Sequence, residues 1–81
     1  MSNTLRLMLF IIITMKFADI IKDLREERGL SQKQLAEKLN LSQSAIAKWE
    51  LSKTEPTAGA LLLLSEFFDV TVGQLLGVEK F

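Results

Sequence analysis

The feature of this sequence that most constrains its fold is the stretch of residues 32–51, in which two short apolar repeats flank one turn signal. The apolar residues of the two repeats, spaced as on one face of a helix, are Leu35, Ala36, Leu39, Ile46 and Trp49. Asn40 stands between the repeats, where a turn requires a left-handed backbone. The stretch therefore predicts two short helices joined by a tight turn, and the small side chain of Ala36 allows them to approach closely.

Composition limits the chemistry that the chain can perform. Its 81 residues suffice for one domain with a modest core, and they include no cysteine and no histidine. Their absence excludes disulfides, zinc sites built from these residues, thiol nucleophiles and imidazole acid–base catalysis. The carboxylates alternate with lysine and arginine in a pattern typical of solvated helix faces. We expect no enzyme, no bound metal and no cofactor.

Helix boundaries are marked by capping residues along most of the chain. Two capping boxes are predicted, one from Ser31 with Gln34 and one from Thr71 with Gln74. The other boundary signals are Ser42 as the cap of a third helix, Pro56-Thr57 at the start of a fourth, and Gly29 and Gly77 just after last turns. These signals predict an all-α fold of five helices, near residues 17–28, 32–39, 43–51, 58–68 and 72–76.

Apolar stripes on these helices define the expected core. The residues that we expect to be buried are Phe17, Ile20, Ile21, Leu24, Leu35, Ala36, Leu39, Ile46, Trp49, the four leucines at 61–64, Phe67, Phe68, Val72, Leu75 and Leu76. Burying a leucine side chain contributes roughly 1.5–3 kcal/mol before the entropy of ordering it is subtracted. Five short helices have one plausible way to hide these faces, which is to pack around a single small core.

A resemblance to a known family covers residues 25–77, whose sequence is REERGLSQKQLAEKLNLSQSAIAKWELSKTEPTAGALLLLSEFFDVTVGQLLG. This stretch resembles the phage-repressor helix-turn-helix family, the Cro/C1-type (XRE) transcriptional regulators. The resemblance implies a compact five-helix, lambda-repressor-like domain that binds operator DNA as a symmetric dimer, with its third helix in the major groove. It also implies an ion pair between Arg25 and Glu50 that joins the first helix to the third, and the alternative is that Arg25 pairs within its own helix. The sequence departs from the family at Leu51-Ser52, where the family usually carries Asn-Gly or Arg-Gly.

Helical geometry indicates which side chains of the third helix remain free. Ala45, Ile46 and Trp49 fall on one side, so the outward residues are Gln43, Ser44, Ala47, Lys48 and Leu51. Glutamine can form a bidentate pair with adenine, lysine can reach guanine, serine can take either role, and an alanine methyl can touch a thymine methyl. These residues are our candidate base readers. The alternative is an ordinary polar surface with no ligand.

Other residues of the same region are candidate contacts to the DNA backbone. Gln32 begins the second helix where, by the resemblance, the family contacts phosphate, and a helix N-terminus favours anions. The resemblance places Lys53 and Thr54 in a phosphate-contacting loop, although a solvated charge is the alternative for Lys53. Ser42 completes the DNA-binding set. The net charge of zero argues weakly against nucleic acid, but residues 31–54 hold four lysines against two glutamates.

The first 15 residues differ from the rest of the chain. Residues 5–15 are mostly apolar, too few to span a bilayer, and lack the small-residue cleavage site of a signal peptide. The three consecutive isoleucines at 11–13 favour a strand, which could pair with its own copy across a twofold axis and build a dimer. The alternatives are that the segment packs on its own domain, or that translation begins at Met15. We expect an apolar extension at 1–15, a helix-turn-helix domain at 16–78 and a tail at 79–81.

Together these observations predict a sequence-specific double-stranded DNA-binding protein that regulates transcription, acting as a repressor by occlusion. We expect a cytoplasmic homodimer with no membrane association. One alternative is an antitoxin that binds its own promoter and a toxin. Another is a protein-interaction module that retains the fold without binding DNA. The possible protein partners are a toxin, if the chain is an antitoxin, and an anti-repressor, if the chain is a repressor.

Overall fold

The computed structural model describes residues 2–81 and consists of five α-helices joined by short turns. The helices are α1 (Asn3–Glu27), α2 (Gln32–Leu39), α3 (Gln43–Glu50), α4 (Ala58–Phe68) and α5 (Val72–Leu75). No strand occurs within these residues, so the predicted all-α class is confirmed. The bounds of α2 to α5 agree with the prediction to within one residue, whereas α1 begins at Asn3 instead of near residue 17.

Side-chain caps begin the helices. Both predicted capping boxes are confirmed, and in the first the Ser31 Oγ accepts the N–H of Gln34 at 3.0 Å while the Gln34 Oε1 accepts the N–H of Ser31 at 2.8 Å. Thr71 and Gln74 form the same two reciprocal bonds, both at 2.9 Å. Asn40 ends α2 with a φ of 55°, the left-handed conformation predicted for it. The chain therefore turns sharply enough for α3 to pack on α2.

The core lies where α1 crosses α3, and α2, α4 and α5 close it from the other sides. Phe17 of α1 meets Trp49 of α3 edge to face, with ring centroids 5.7 Å apart. The buried apolar residues are Phe17, Ala18, Ile21, Leu35, Ala36, Leu39, Ile46, Trp49, Ala60, Leu64, Phe68 and Leu75. Every helix contributes at least one of them, so the position of α3 depends on the whole domain.

The expectation that all four leucines at 61–64 are buried is wrong. Leu62 is 61% exposed and Leu63 is 41% exposed, whereas Leu64 is fully buried. Consecutive residues on a helix are rotated by about 100°, so a run of four cannot face one side. Other predicted core residues that are only half-buried are Ile20, Leu24, Leu61, Phe67, Val72 and Leu76. Ala60 and Phe68, four residues before and after Leu64, complete the inner face of α4.

The strand expected among residues 5–15 is also wrong, because this segment is the first half of α1. Ser2 caps the helix, and its Oγ accepts the N–H of Leu5 at 3.2 Å. A lone strand would leave its backbone polar groups without partners, whereas a helix pairs them within the segment. With 25 residues, α1 spans about 37 Å and accounts for the long dimension of the molecule, 39 Å.

The outward face of α1 changes character near residue 16. In the second half of the helix this face carries the exposed charged residues Lys16, Asp19, Lys22, Asp23 and Glu26. In the first half it carries apolar residues that are 46–56% exposed, namely Leu5, Met8, Ile12 and Met15. A surface helix normally keeps polar residues outward along its whole length. Among residues 2–81, no helix combines the length and the apolarity that a membrane crossing requires.

Candidate nucleic-acid interface

The position of α3 is fixed by its cap and by its buried face. Ser42 begins the helix, and its Oγ accepts the N–H of Ala45 at 3.1 Å. Ile46 and Trp49 are 0% and 5% exposed. Rotating α3 would expose these two large side chains, so the direction of its opposite face is set by the core.

The exposed side of α3 brings together the five residues expected to face outward. Gln43, Ser44 and Lys48 are exposed and Ala47 is half-buried. Leu51, the residue directly after the helix, is 64% exposed. This surface therefore offers an amide, a hydroxyl and an ammonium group for hydrogen bonding beside two apolar side chains.

Beside the last turn of α3, Arg25 of α1 binds Glu50. Arg25 donates from Nε to the Glu50 Oε2 at 2.7 Å and from Nη2 to the Glu50 Oε1 at 2.9 Å. Its Nη1 donates to the Leu30 carbonyl at 2.7 Å, so the hydrogen bonds of this guanidinium lead out of its own helix. The hydrogen bonds to Glu50 raise the pKa of Arg25. The bidentate pair ties α1 to the end of α3.

Gln32, the first residue of α2, is directed toward the same carboxylate. Its Nε2 donates to the Glu50 Oε1 at 3.1 Å, and the residue is half-buried. Sequence reasoning missed this contact, since no local pattern links two residues 18 positions apart. The carboxylate of Glu50 therefore holds the start of α2 and the end of α1 against the same turn of α3.

The chain leaves α3 through a hydrogen-bonded turn. Ser52 donates its N–H to the Trp49 carbonyl at 3.0 Å, and Lys53 donates its N–H to the Lys48 carbonyl at 2.9 Å. These two bonds define the Schellman motif, whose left-handed residue is usually glycine. Here that residue is Ser52, with a φ of 59°. Lys53 and Thr54 follow it as exposed residues.

The ion pair also changes the charge that this region presents to solvent. Because Arg25 neutralises Glu50, the remaining carboxylate between residues 31 and 54 is that of Glu37. The exposed lysines of the same region are Lys33, Lys38, Lys48 and Lys53. The helix pair and its exit turn therefore present an excess of three positive charges, although the whole chain has a net charge of zero.

Comparison with known proteins gives matches over the same region. The family model described as helix-turn-helix matches residues 21–75. The HTH-type transcriptional activator BcrR of Enterococcus faecalis is 42% identical over 66 residues, which cover 82% of this chain and 32% of that protein. The HTH-type transcriptional regulator ImmR of Bacillus subtilis is 33% identical over 60 residues, covering 74% of this chain and 47% of that protein.

A phage protein shows a similar match. The immunity repressor protein of Bacillus phage phi105 is 39% identical over 59 residues, covering 73% of this chain and 41% of that protein. The chain thus spans between about a third and about half the length of these curated relatives. No solved structure matches it significantly.

Proposed function

The chain belongs to the helix-turn-helix family, and we propose that it binds double-stranded DNA sequence-specifically and regulates transcription. The observation that carries this proposal is the exposed side of α3, where Gln43, Ser44 and Lys48 face solvent while the other side is fixed in the core. An exposed helix that presents hydrogen-bonding side chains from one face can enter a major groove and read base edges there.

Each exposed residue of α3 has a chemical role in this proposal. The Gln43 amide can donate to N7 of adenine and accept from its N6 amino group, which forms a bidentate pair. The Lys48 ammonium can donate to guanine O6 and N7. The hydroxyl of Ser44 can donate or accept, and the Ala47 methyl can pack on a thymine methyl. Together these groups would distinguish a short run of base pairs.

Contacts to the DNA backbone would come from the N-termini of α2 and α3 and from the residues that follow α3. Gln32 lies at the N-terminus of α2, and Glu50 holds its side chain in place. The hydroxyl of Ser42 accepts one bond from its own helix and retains its proton for donation to a phosphate. Lys53 and Thr54 extend the contact beyond α3. These residues would fix the register of the protein on DNA without specifying sequence.

We propose further that the protein acts as a cytoplasmic homodimer without any catalytic step. A single α3 contacts few base pairs, whereas two copies related by a twofold axis would read two half-sites about one DNA turn, or roughly 34 Å, apart. A dimer on a promoter would repress by occluding polymerase. The name of the phage phi105 relative supports repression, and that of the Enterococcus faecalis relative makes activation the competing outcome.

Selection of DNA from a random pool by the purified full chain tests the proposal. We expect an enriched, palindromic sequence whose affinity falls steeply with salt, because phosphate contacts release counterions. A reporter gene with that sequence placed over its promoter then gives the sign of regulation. Failure to enrich any sequence, with equal binding to all duplexes, would refute sequence-specific binding.

A further inference from the structure

Leu51 is an exposed apolar residue at the C-terminal end of the proposed DNA-binding face of α3. On a helical projection it points directly away from Ile46 and Trp49, in line with Ser44 and Lys48. It is 64% exposed, more than any other large apolar residue from α2 to α5. Isolated exposed leucines are ordinary, but this one shares its face with the candidate readers.

The exit of α3 has no free backbone donor at this point. Leu51 donates its N–H to the Ala47 carbonyl at 3.1 Å, and the next two amides complete the turn that ends α3. The side chain itself has no polar atom. Leu51 therefore cannot bind a phosphate through either its side chain or its amide, and any contact that it makes with DNA is apolar.

We propose that Leu51 reads the 5-methyl group of a thymine, which is the apolar group that base pairs present in the major groove. This inference rests on the proposed function and gives Leu51, a candidate base reader from the sequence, a defined chemical group to read. Leu51 lies one helical turn beyond Ala47, about 6 Å along the axis, and base pairs are stacked about 3.4 Å apart. Leu51 can thus reach a thymine that lies beyond the one available to Ala47.

The experiment uses the duplex that the full chain selects from a random pool. Each thymine is replaced in turn by deoxyuridine, which removes one methyl group and leaves every hydrogen-bonding atom unchanged. At the thymine read by Leu51, we expect the affinity of the natural protein for the duplex to fall about fourfold. This is the factor by which burial of one carbon group strengthens binding. The Leu51→Ala variant should bind both duplexes equally at that position while keeping its response at every other thymine.

Leu62→Ala is the matched control, because Leu62 is 61% exposed but lies on α4. It should retain the full thymine preference, and both variants should unfold at the temperature of the natural protein. If Leu51→Ala responds to every deoxyuridine as the natural protein does, or if no thymine shows a methyl effect, the assignment of Leu51 is wrong while DNA binding stands. If the full chain enriches no sequence from the random pool, the proposed function is wrong and so is this assignment.

Discussion

Arg25 and Glu50 face each other where α1 crosses the end of α3, with the Arg25 Nε 2.7 Å from the Glu50 Oε2. The two side chains are 12% and 5% exposed, so the pair is largely removed from solvent. Glu50 is the last residue of α3 and also accepts a hydrogen bond from Gln32. The pair therefore orients the helix that carries the candidate base readers without lying on its outward face.

Replacing either Arg25 or Glu50 by alanine should lower the free energy of unfolding by about 2–4 kcal/mol. An exposed pair contributes only about 0–1 kcal/mol, but here each single variant leaves the partner charge buried and unpaired. Urea unfolding of the two single variants and the double variant measures this. The double variant should cost less than the sum of the single ones.

Glu37→Ala serves as the control for these measurements, because Glu37 is an exposed carboxylate of α2. Its effect should stay within about 0.5 kcal/mol. Strict additivity of the Arg25 and Glu50 variants would show that the two residues are not coupled.

Replacing Ser52 by glycine should stabilise the domain. The left-handed conformation of Ser52, with its φ of 59°, costs a residue with a Cβ about 1–2 kcal/mol. Glycine avoids that strain but loses about 0.5–1 kcal/mol in entropy, so a net gain of roughly 0.5–1 kcal/mol remains. The lost hydrogen bond from the Ser52 Oγ to the Thr14 carbonyl is long, at 3.5 Å, and contributes little. Thermal unfolding tests this, and a lower melting temperature for Ser52→Gly than for Ser52→Ala would contradict it.

Residues that read bases and residues that contact the DNA backbone should differ in how their replacement affects DNA binding. Lys48→Ala should weaken binding to the selected duplex by about 1–3 kcal/mol while changing binding to random DNA much less. Lys53→Ala should weaken binding to both duplexes similarly and reduce the slope of log affinity against log salt by about one. Fluorescence anisotropy over a range of salt concentrations separates the two cases. Equal losses on selected and random DNA for Lys48→Ala would remove Lys48 from the readers.

The elements that could be predicted from the sequence are those whose signals are local. Ser31 and Gln34 are hydrogen-bond partners only three residues apart, and Asn40 makes the turn by adopting a left-handed backbone itself. The capping box and the turn could therefore both be recognised in the sequence. The contact between Gln32 and Glu50 depends on how three helices pack, and no local pattern encodes it. The DNA-contacting roles of the α3 residues stay predictions.

Two errors have physical causes that are visible in particular residues. The run of leucines at 61–64 contains no polar residue to mark the outward side of α4, so exposure of Leu62 could not be read from it. The isoleucines at 11–13 have high strand propensity, but a strand needs a neighbour, and helix bonds form within the segment itself. Here backbone pairing outweighed the side-chain preference.

The apolar outward face in the first half of α1 should promote association of the protein without stabilising its fold. Met8 and Ile12 are 52% and 47% exposed, on the face that becomes charged from Lys16 onward. Replacing both by lysine should lower the apparent mass in light scattering at high concentration, because two charges then interrupt the exposed apolar surface of this half of α1. The free energy of unfolding should change by less than about 0.5 kcal/mol, since lysine is a good helix former and the sites are exposed. Ile21 is fully buried, so Ile21→Ala should lower the free energy of unfolding, measured with urea, by about 2–5 kcal/mol. A comparable loss for the Met8 and Ile12 variant would show that this face is covered within the folded chain.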